Sequence, residues 1–356
     1  MLKHNFYAGP AILPKAVLEE AAGSILNFSN MGLSLLEISH RSKQFEAVMD
    51  ESRALVHELL NLGDDYEVLF LGGGASSQFY MIPMNLLAEN GKACFVNTGT
   101  WASGAIKEAK LFGQVEVLAS SEQDKFRHIP KNYTIPQDAT YLHLTSNNTI
   151  YGSQFHSFPE SPISLICDMS SDIFSKQMDF SKFDLIYAGA QKNMGPAGVT
   201  LVVIKKSIIG KSGRMLPTML NYKTHAEKGS MYNTPPVFPI YVSMLTMRWI
   251  KAQGGLKTME ERNKAKSESL YHEIDRNSCF SGSVEKEDRS WMNVVFMPND
   301  SAYEAEFLAD CKAAGCLGLE GHRSVGGFRA SLYNALEIDS VKVLVEVMKE
   351  FETKHG

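Results

Sequence analysis

The chain lacks the features of a membrane, secreted or nucleic-acid-binding protein. None of the apolar runs in its 356 residues reaches membrane-spanning length, and the opening MLKHNFYAGP has no apolar region typical of a signal peptide. Its five cysteines are scattered without a CxxC pair, which predicts neither a disulfide framework nor a zinc site. A net charge of −5 provides no basic excess for phosphate backbones. We therefore expect a cytoplasmic protein with no nucleic-acid partner, no membrane attachment and no metal site.

Short apolar runs dominate the first two thirds of the chain and indicate an α/β fold. Each of seven runs ends in small or polar residues and predicts a strand: 66–74, 92–99, 115–120, 140–147, 164–171, 184–191 and 199–206. Helix-sized segments separate several of them, and helical patterns at 14–28 and 42–62 precede them. This alternation predicts a large domain with a mostly parallel seven-stranded sheet covered by helices.

A different pattern follows residue 237 and predicts a smaller α+β domain. A long helical stretch over 239–277 is weakened at Gly254 and Gly255, and it leads to an apolar run at 290–298. A helix over 301–315, a strand over 327–336 and a final amphipathic helix from Ser340 complete the pattern. A chain of this length is expected to form one large and one smaller domain.

Four groups at the predicted strand ends are candidates for a ligand site. They are the turn GGGAS at 72–76, Trp101, Asp168 and Lys192, which stands among glycines in DLIYAGAQKNMGPAGV. Taken singly, each has an ordinary explanation: a tight turn, a core aromatic, a helix N-cap and a solvent-exposed loop lysine. Together, at the carboxyl ends of strands in one sheet, they match a phosphate, a flat ring, a protonated ring nitrogen and an aldehyde. That combination of groups favours pyridoxal phosphate.

Eight motifs occur in one order that resembles a known family. They are NFYAGPAILP, EISHRS, FLGGGASSQF, NTGTWAS, CDMSSDIFS, YAGAQKNMGPAG, YNTPPVFPIY and GHRSVGGFRASLYNA. Over essentially its whole length the sequence resembles the phosphoserine aminotransferases, which are class-V, fold-type I enzymes that depend on pyridoxal 5′-phosphate. The resemblance implies a cofactor-binding domain at 16–255 and a small domain formed by 1–15 and 256–356.

The resemblance also implies roles for residues around the cofactor. Lys192 would form the Schiff base, Asp168 would pair with the pyridine nitrogen, and Trp101 would stack on the ring. Thr149 would hydrogen-bond near the phenolic oxygen of the ring. The phosphate would be held by Ala75, Ser76, Gln191 and, from a partner subunit, Asn233 and Thr234. The last two residues imply a homodimer with shared active sites.

The substrate site implied by the resemblance consists of arginines and histidines. Arg329 would bind the α-carboxylate through its planar guanidinium group. His40, Arg41, His322 and Arg323 would bind the distal anion of the substrate. For either HR pair taken alone, a salt bridge to a surface carboxylate is the favoured explanation. Both pairs together with a cofactor site indicate a substrate that is doubly anionic at its far end.

The activity implied is the reversible transfer of an amino group from L-glutamate to 3-phosphohydroxypyruvate, which gives O-phospho-L-serine and 2-oxoglutarate in serine biosynthesis. 4-Phosphohydroxy-L-threonine, in pyridoxal phosphate synthesis, is a second candidate substrate. The alternative is another fold-type I aminotransferase, such as one acting on alanine or serine and glyoxylate. A cofactor-binding protein without catalysis is a rival from another class, and the presence of both Lys192 and Asp168 argues against it.

Overall fold

The computed structural model describes residues 2–356, which form nine α-helices and twelve strands. The helices are α1 (Lys15–Leu26), α2 (Lys43–Leu60), α3 (Gly74–Leu86), α4 (Thr100–Ala109), α5 (Tyr222–Glu227), α6 (Val237–Ala252), α7 (Gly255–Arg276), α8 (Tyr303–Ala313) and α9 (Ile338–His355). The strands are β1 (His4–Asn5), β2 (Tyr66–Leu71), β3 (Lys92–Asn97), β4 (Gln114–Ser120), β5 (Tyr141–Thr145), β6 (Ser164–Asp168), β7 (Leu185–Gly189), β8 (Thr200–Lys205), β9 (Phe280–Gly282), β10 (Asn293–Pro298), β11 (Cys316–Leu317) and β12 (Phe328–Ser331). Within this part of the chain, no helix combines the length and apolar character needed to cross a membrane.

The large sheet has seven strands in the order β2-β8-β7-β6-β5-β3-β4. Strand β8 runs antiparallel to both of its neighbours, and the remaining pairs are parallel. Each of the seven runs predicted from the sequence coincides with one of these strands, β4 starting one residue before its run, so the prediction of a mostly parallel α/β sheet is confirmed. Strands β5 and β7 are buried at every position, which explains why their sequences are almost continuously apolar.

Helices cover both faces of this sheet, and alternate residues of each strand pack on opposite sides. Ile166 of β6 belongs to the core shared with α3 and α4, whereas the next residue, Cys167, belongs to the core shared with α1, α2 and α6. Direct contacts of α2 and α1 with α6 complete the second layer. The central strands β5, β6, β7 and β8 are therefore covered on both faces, and a ligand reaches them at the strand ends.

A second core lies around the antiparallel sheet β12-β10-β9 and helices α8 and α9. The N-terminal segment joins it, because Phe6 is fully buried there and β1 pairs with β11. Helix α7 contributes to both cores: Leu256 and Met259 pack in the larger one, and Leu270 and Ile274 in the smaller one. The division at residues 15 and 255 stays a prediction.

The predicted helix over 239–277 is two helices in the structure. Gly254 and Gly255 have φ values of +102° and +73°, a left-handed backbone that glycine adopts without steric cost and that ends α6 before α7 starts. The predicted strand over 327–336 is also shorter, since β12 ends at Ser331 and the chain then forms a turn in which the Leu336 amide donates to the Tyr333 carbonyl.

Candidate active site

Five segments that carry predicted site residues end at one edge of the large sheet. Strands β2, β3, β5, β6 and β7 point the same way, because β2 and β7 are both antiparallel to β8. Residues 72–74 follow β2, Trp101 follows β3, Thr149 follows β5, Asp168 ends β6 and Lys192 follows β7. This arrangement places the predicted cofactor residues at the carboxyl edge, where α/β sheets bind ligands.

Lys192 is in contact with two of these residues. Its Nζ donates to Thr149 Oγ1 at 2.7 Å and lies 5.1 Å from the centroid of the Trp101 ring. The pKa of Lys192 is lowered from 10.5 to about 8: burial is the main cause, the charge of Asp168 opposes it, and the charge of Arg329 adds to the lowering. A lysine with such a pKa is neutral often enough to attack a carbonyl group near neutral pH.

The glycines after Lys192 are explained by close packing on α6. A side chain at Gly195 would overlap with Ser243, and one at Gly198 would contact Pro239. Gly198 also has a φ of +120°, which disfavours any side chain there. The turn thus lies directly on α6, and this packing fixes the position of the lysine at the sheet edge.

Asp168 is buried and held by hydrogen bonds. The Ser170 amide donates to Asp168 Oδ1 at 2.9 Å and the Ser170 hydroxyl donates to the same oxygen at 2.6 Å. The Gly189 amide in turn donates to Ser170 Oγ at 3.1 Å. Burial raises the pKa of Asp168, and the charge of Lys192 and the bonds from Ser170 and Tyr187 act against this effect. The site therefore contains a buried carboxylate whose ionised form is supported by donors and by a cation.

Two residues that the sequence did not single out adjoin Asp168. Tyr187 is its register partner on β7, and Tyr187 Oη lies 2.9 Å from His143 Nε2 on β5. The only signal in the sequence is a histidine inside the apolar run TYLHLT, a pattern that is more often structural. The contact of the N-terminal segment with the Lys192 turn was also not predicted: the Ala11 amide donates to the Gln191 carbonyl at 2.9 Å, and a Cβ added at Gly9 would lie 3.3 Å from Lys192 Cγ.

The glycine-rich turn at residues 72–74 leads into the N-terminus of α3. Gly73 and Gly74 have φ values of +96° and +71°, which leave the first turn of the helix open to an anion. Ala75 is partly buried and Ser76 is exposed in this turn, and Gln191 is partly buried beside Lys192. Their predicted phosphate contacts are compatible with these positions.

Asn233 and Thr234 are exposed and lie before α6. Together with Gly72, Gly73 and Ser77 of their own chain they line a cavity of about 440 Å³. The structure thus places them next to the opening of the glycine-rich turn of their own chain. Their contact with the phosphate bound by a partner subunit stays a prediction.

The predicted substrate residues form two groups. Arg329 on β12 is partly buried, with a buried Nε that has no hydrogen-bond partner within residues 2–356. His322 and Arg323 precede β12, and burial followed by the charges of Arg329 and Arg323 lowers the pKa of His322. His40 and Arg41 lie in the segment before α2, and no hydrogen bond within residues 2–356 joins them to Arg329.

Comparison with known proteins is consistent with this geometry. The aminotransferase class-V family model matches residues 3–344. A phosphoserine aminotransferase of Flavobacterium psychrophilum is 61% identical over 355 residues, which cover 99% of this chain and 100% of the relative. The solved phosphoserine aminotransferase from Bacillus circulans subsp. alkalophilus has a TM-score of 0.97 at 45% identity and covers 100% of this chain and 99% of its own. A phosphoserine aminotransferase from Trichomonas vaginalis with bound PLP has a TM-score of 0.93 at 36% identity, with coverage of 98% and 100%.

The chain belongs to the class-V aminotransferase family. Within that family it is similar to phosphoserine aminotransferases along its whole length. The resemblance and the fold class predicted from the sequence are therefore confirmed. The roles of the individual site residues remain predictions, which the geometry above makes specific enough to test.

Proposed function

We propose that the chain is a pyridoxal-phosphate-dependent aminotransferase that interconverts O-phospho-L-serine and 2-oxoglutarate with 3-phosphohydroxypyruvate and L-glutamate. The observation that carries the proposal is the setting of Lys192. Its amine has a pKa of about 8, contacts Thr149 and Trp101, and lies at the same sheet edge as the buried Asp168. The similarity to phosphoserine aminotransferases over the full chain supports the choice of substrate.

The residues present fit the cofactor by their chemistry. Two buried N–H donors near Lys192, Trp101 Nε1 and Arg329 Nε, have no hydrogen-bond partner within residues 2–356. Buried donors are rarely left unpaired, so they indicate that an anionic or acceptor-rich ligand completes the site. Asp168 is the complementary feature, because a buried carboxylate requires a cationic or donor partner.

The reaction divides between the cofactor and the chain. When bound, pyridoxal phosphate supplies an aldehyde for the amino group and a ring that takes up the charge developing at the substrate α-carbon. Lys192 holds the proton that moves from the α-carbon, and Thr149 orients its Nζ. Asp168, whose ionised form Lys192 and Ser170 favour, would pair with the ring nitrogen, and Trp101 would stack on the ring.

Substrate selection follows from the distribution of cations. Arg329 binds the α-carboxylate, which both amino donors share. His322 and Arg323 next to it, together with His40 and Arg41, bind the distal phosphate of phosphoserine or the γ-carboxylate of glutamate. A substrate without a distal anion would leave these four side chains without a ligand, which disfavours an alanine– or serine–glyoxylate specificity.

A homodimer with shared sites is part of the proposal. Leu18, Ile25 and Leu26 lie on one face of α1 and are exposed, as expected of a surface that a second copy covers. Mixing Lys192→Ala with Asn233→Ala chains tests the shared site: if Asn233 acts across the subunit boundary, each mixed dimer regains one intact site and activity returns. If Asn233 acts within its own chain, mixing restores nothing.

A cytoplasmic location is also proposed, supported by five buried free thiols.

The half-reaction tests the proposed activity. Protein loaded with pyridoxal phosphate is mixed with O-phosphoserine, alanine or serine, and the keto acid formed is quantified by mass spectrometry. We expect 3-phosphohydroxypyruvate at one equivalent per site, little product from alanine or serine, and none with Lys192→Ala. Turnover of alanine with glyoxylate in preference to phosphoserine would establish the alternative. Product from Lys192→Ala at the rate of the unmodified protein would remove the lysine from the mechanism.

A further inference from the structure

The part of the sheet behind Asp168 contains a polar pair buried in an apolar core. His143 and Tyr187 are 2% and 0% exposed, and both lie on the face of the sheet covered by α3 and α4. His143 packs against the Phe95 ring, with centroids 5.2 Å apart. A histidine and a tyrosine buried here lose their hydrogen bonds to water, so their mutual hydrogen bond has to offset the free energy of desolvation. The mechanism described above uses neither residue.

The register of the sheet aligns this pair with Asp168. Asp168 and Tyr187 are opposite each other on the parallel strands β6 and β7, and His143 is opposite Ile166, two residues before Asp168 on β6. Residues two apart on a strand share a face, so all three side chains point to the same side of the sheet. The Tyr187 hydroxyl is 2.9 Å from His143 Nε2, and its side chain stands beside the Asp168 carboxylate, whose pKa it lowers.

The direction of these hydrogen bonds follows from the donors available. An ionised carboxylate only accepts, so a hydrogen bond between Tyr187 and Asp168 requires the single hydroxyl proton of Tyr187 to be donated to the carboxylate. Tyr187 Oη then accepts from His143, which requires the proton of the neutral imidazole to be on Nε2. His143 Nδ1 has no partner within residues 2–356, and a bare acceptor nitrogen is tolerated there better than an unpaired N–H. Burial also lowers the pKa of His143 to about 3, which keeps the ring neutral.

We propose that His143 and Tyr187 are positioning residues of the cofactor site, in which His143 Nε2–H donates to Tyr187 Oη and Tyr187 Oη–H donates to the Asp168 carboxylate. The inference rests on the proposed function, because it assigns this chain of donors to the carboxylate that binds the cofactor ring. It approaches Asp168 from within the sheet, whereas Ser170 approaches from the loop after β6. The two sets of donors fix the carboxylate in one orientation and favour its ionised form.

The positioning role predicts an effect on cofactor affinity. Tyr187→Phe removes one donor from an ionised acceptor, and we expect pyridoxal phosphate to bind about tenfold more weakly, since hydrogen bonds to charged groups are among the stronger ones. His143→Phe leaves the tyrosine in place and should weaken binding by a smaller factor. His143→Gln keeps an N–H donor on the side chain and should restore part of the loss. KM for phosphoserine should stay the same while kcat falls, because neither residue contacts the substrate.

The chain offers a matched control in Tyr141. It is a buried tyrosine two residues before His143 on β5, in the same core, and its hydroxyl has no hydrogen-bond partner within residues 2–356. Tyr141→Phe removes the same atom from the same core without touching Asp168. We expect it to bind the cofactor as the unmodified protein does. Equal affinities for Tyr187→Phe and Tyr141→Phe would overturn the proposal.

A measurement on the unmodified protein without cofactor makes the test independent of how the variants fold. Long-range 1H–15N correlation spectra distinguish the two neutral tautomers of histidine, and the signals of His143 among the ten histidines are those lost in His143→Gln. We expect the Nε2–H tautomer at pH 6 to 8. An Nδ1–H tautomer, or a protonated ring, would overturn the donor chain. Failure of the unmodified protein to bind pyridoxal phosphate would instead refute the proposed function, whatever the tautomer.

Discussion

The lowered pKa of Lys192 leads to a quantitative prediction about how the protein without cofactor captures pyridoxal phosphate. Only the neutral amine attacks the aldehyde, so the rate of capture follows the fraction of Lys192 that is unprotonated. With a pKa of about 8 in place of 10.5, this fraction at pH 7 is about 300 times larger than for an ordinary lysine. The rate should therefore rise about tenfold per pH unit up to pH 8 and level off above it.

The pH at which the capture rate reaches half of its plateau is the midpoint of this profile. Two substitutions should move this midpoint in opposite directions. The carboxylate of Asp168 raises the pKa of Lys192, so Asp168→Asn should lower the midpoint by about one pH unit. The guanidinium of Arg329 lowers that pKa, so Arg329→Gln should raise the midpoint by a similar or smaller amount. The opposite signs separate an electrostatic effect at Lys192 from general damage to the site, which would slow capture without moving the midpoint.

Stopped-flow absorbance between pH 6.5 and 10.5 measures these rates after the protein is mixed with pyridoxal phosphate. The same series with a free lysine derivative corrects for the ionisation of the cofactor itself. A midpoint near 10 in the unmodified protein would show that burial does not perturb the amine. A midpoint shifted in the same direction by both substitutions would contradict the arrangement of charges around Lys192.

Three further predictions concern stability and substrate selection. Between pH 8 and 10.5 the unfolded chain carries a proton on Lys192 that the folded chain lacks. The free energy of unfolding, measured with urea relative to Lys192→Met, should therefore rise by about 3 kcal/mol over this window. A difference that does not change with pH would exclude the lowered pKa. Gly195→Ala should destabilise the folded protein by about 1–3 kcal/mol through overlap with α6, whereas Gly23→Ala on the open face of α1 should stabilise it by about 0.5–1 kcal/mol. Equal thermal unfolding midpoints for the two variants would contradict the packing of Gly195 on α6. Arg41→Gln and Arg323→Gln should reduce kcat/KM for phosphoserine more than for an unphosphorylated amino acid, and equal losses for both substrates would argue against a distal phosphate pocket.

The elements of the large sheet could be predicted from the sequence because burial on both faces leaves a strong local signal. Strands such as β7 are apolar at each position and end in small residues, so both the strand and the position of Lys192 just after its end follow from local sequence. The order of the strands places Thr149, Asp168 and Lys192 at one edge, and this required only that the sheet be mostly parallel. The glycines at 72–74 were recognised for the same reason, since a turn with positive φ values requires them.

Features that depend on contacts between distant segments could not be predicted. His143 and Tyr187 appear in the sequence as polar interruptions in apolar strands 44 residues apart, and only the register of β5, β6 and β7 brings them to Asp168. The need for glycine at position 195 depends on Ser243 in α6. The placement of Gly9 beside Lys192 likewise arises from the N-terminal segment joining the second core, which no local pattern indicates.

The most direct test of the account is to locate the lysine that binds pyridoxal phosphate. Borohydride reduction fixes the lysine–cofactor linkage, and peptide mapping by mass spectrometry then identifies the modified residue. The account predicts modification of Lys192 at close to one equivalent per chain. Lys266 serves as a control within the same chain, because it is also buried and its pKa is lowered to about 7. We expect it to remain unmodified, since its Nζ donates to the carbonyls of Leu332 and Tyr333. Modification of Lys266 or of any other lysine in place of Lys192 would contradict the central claim.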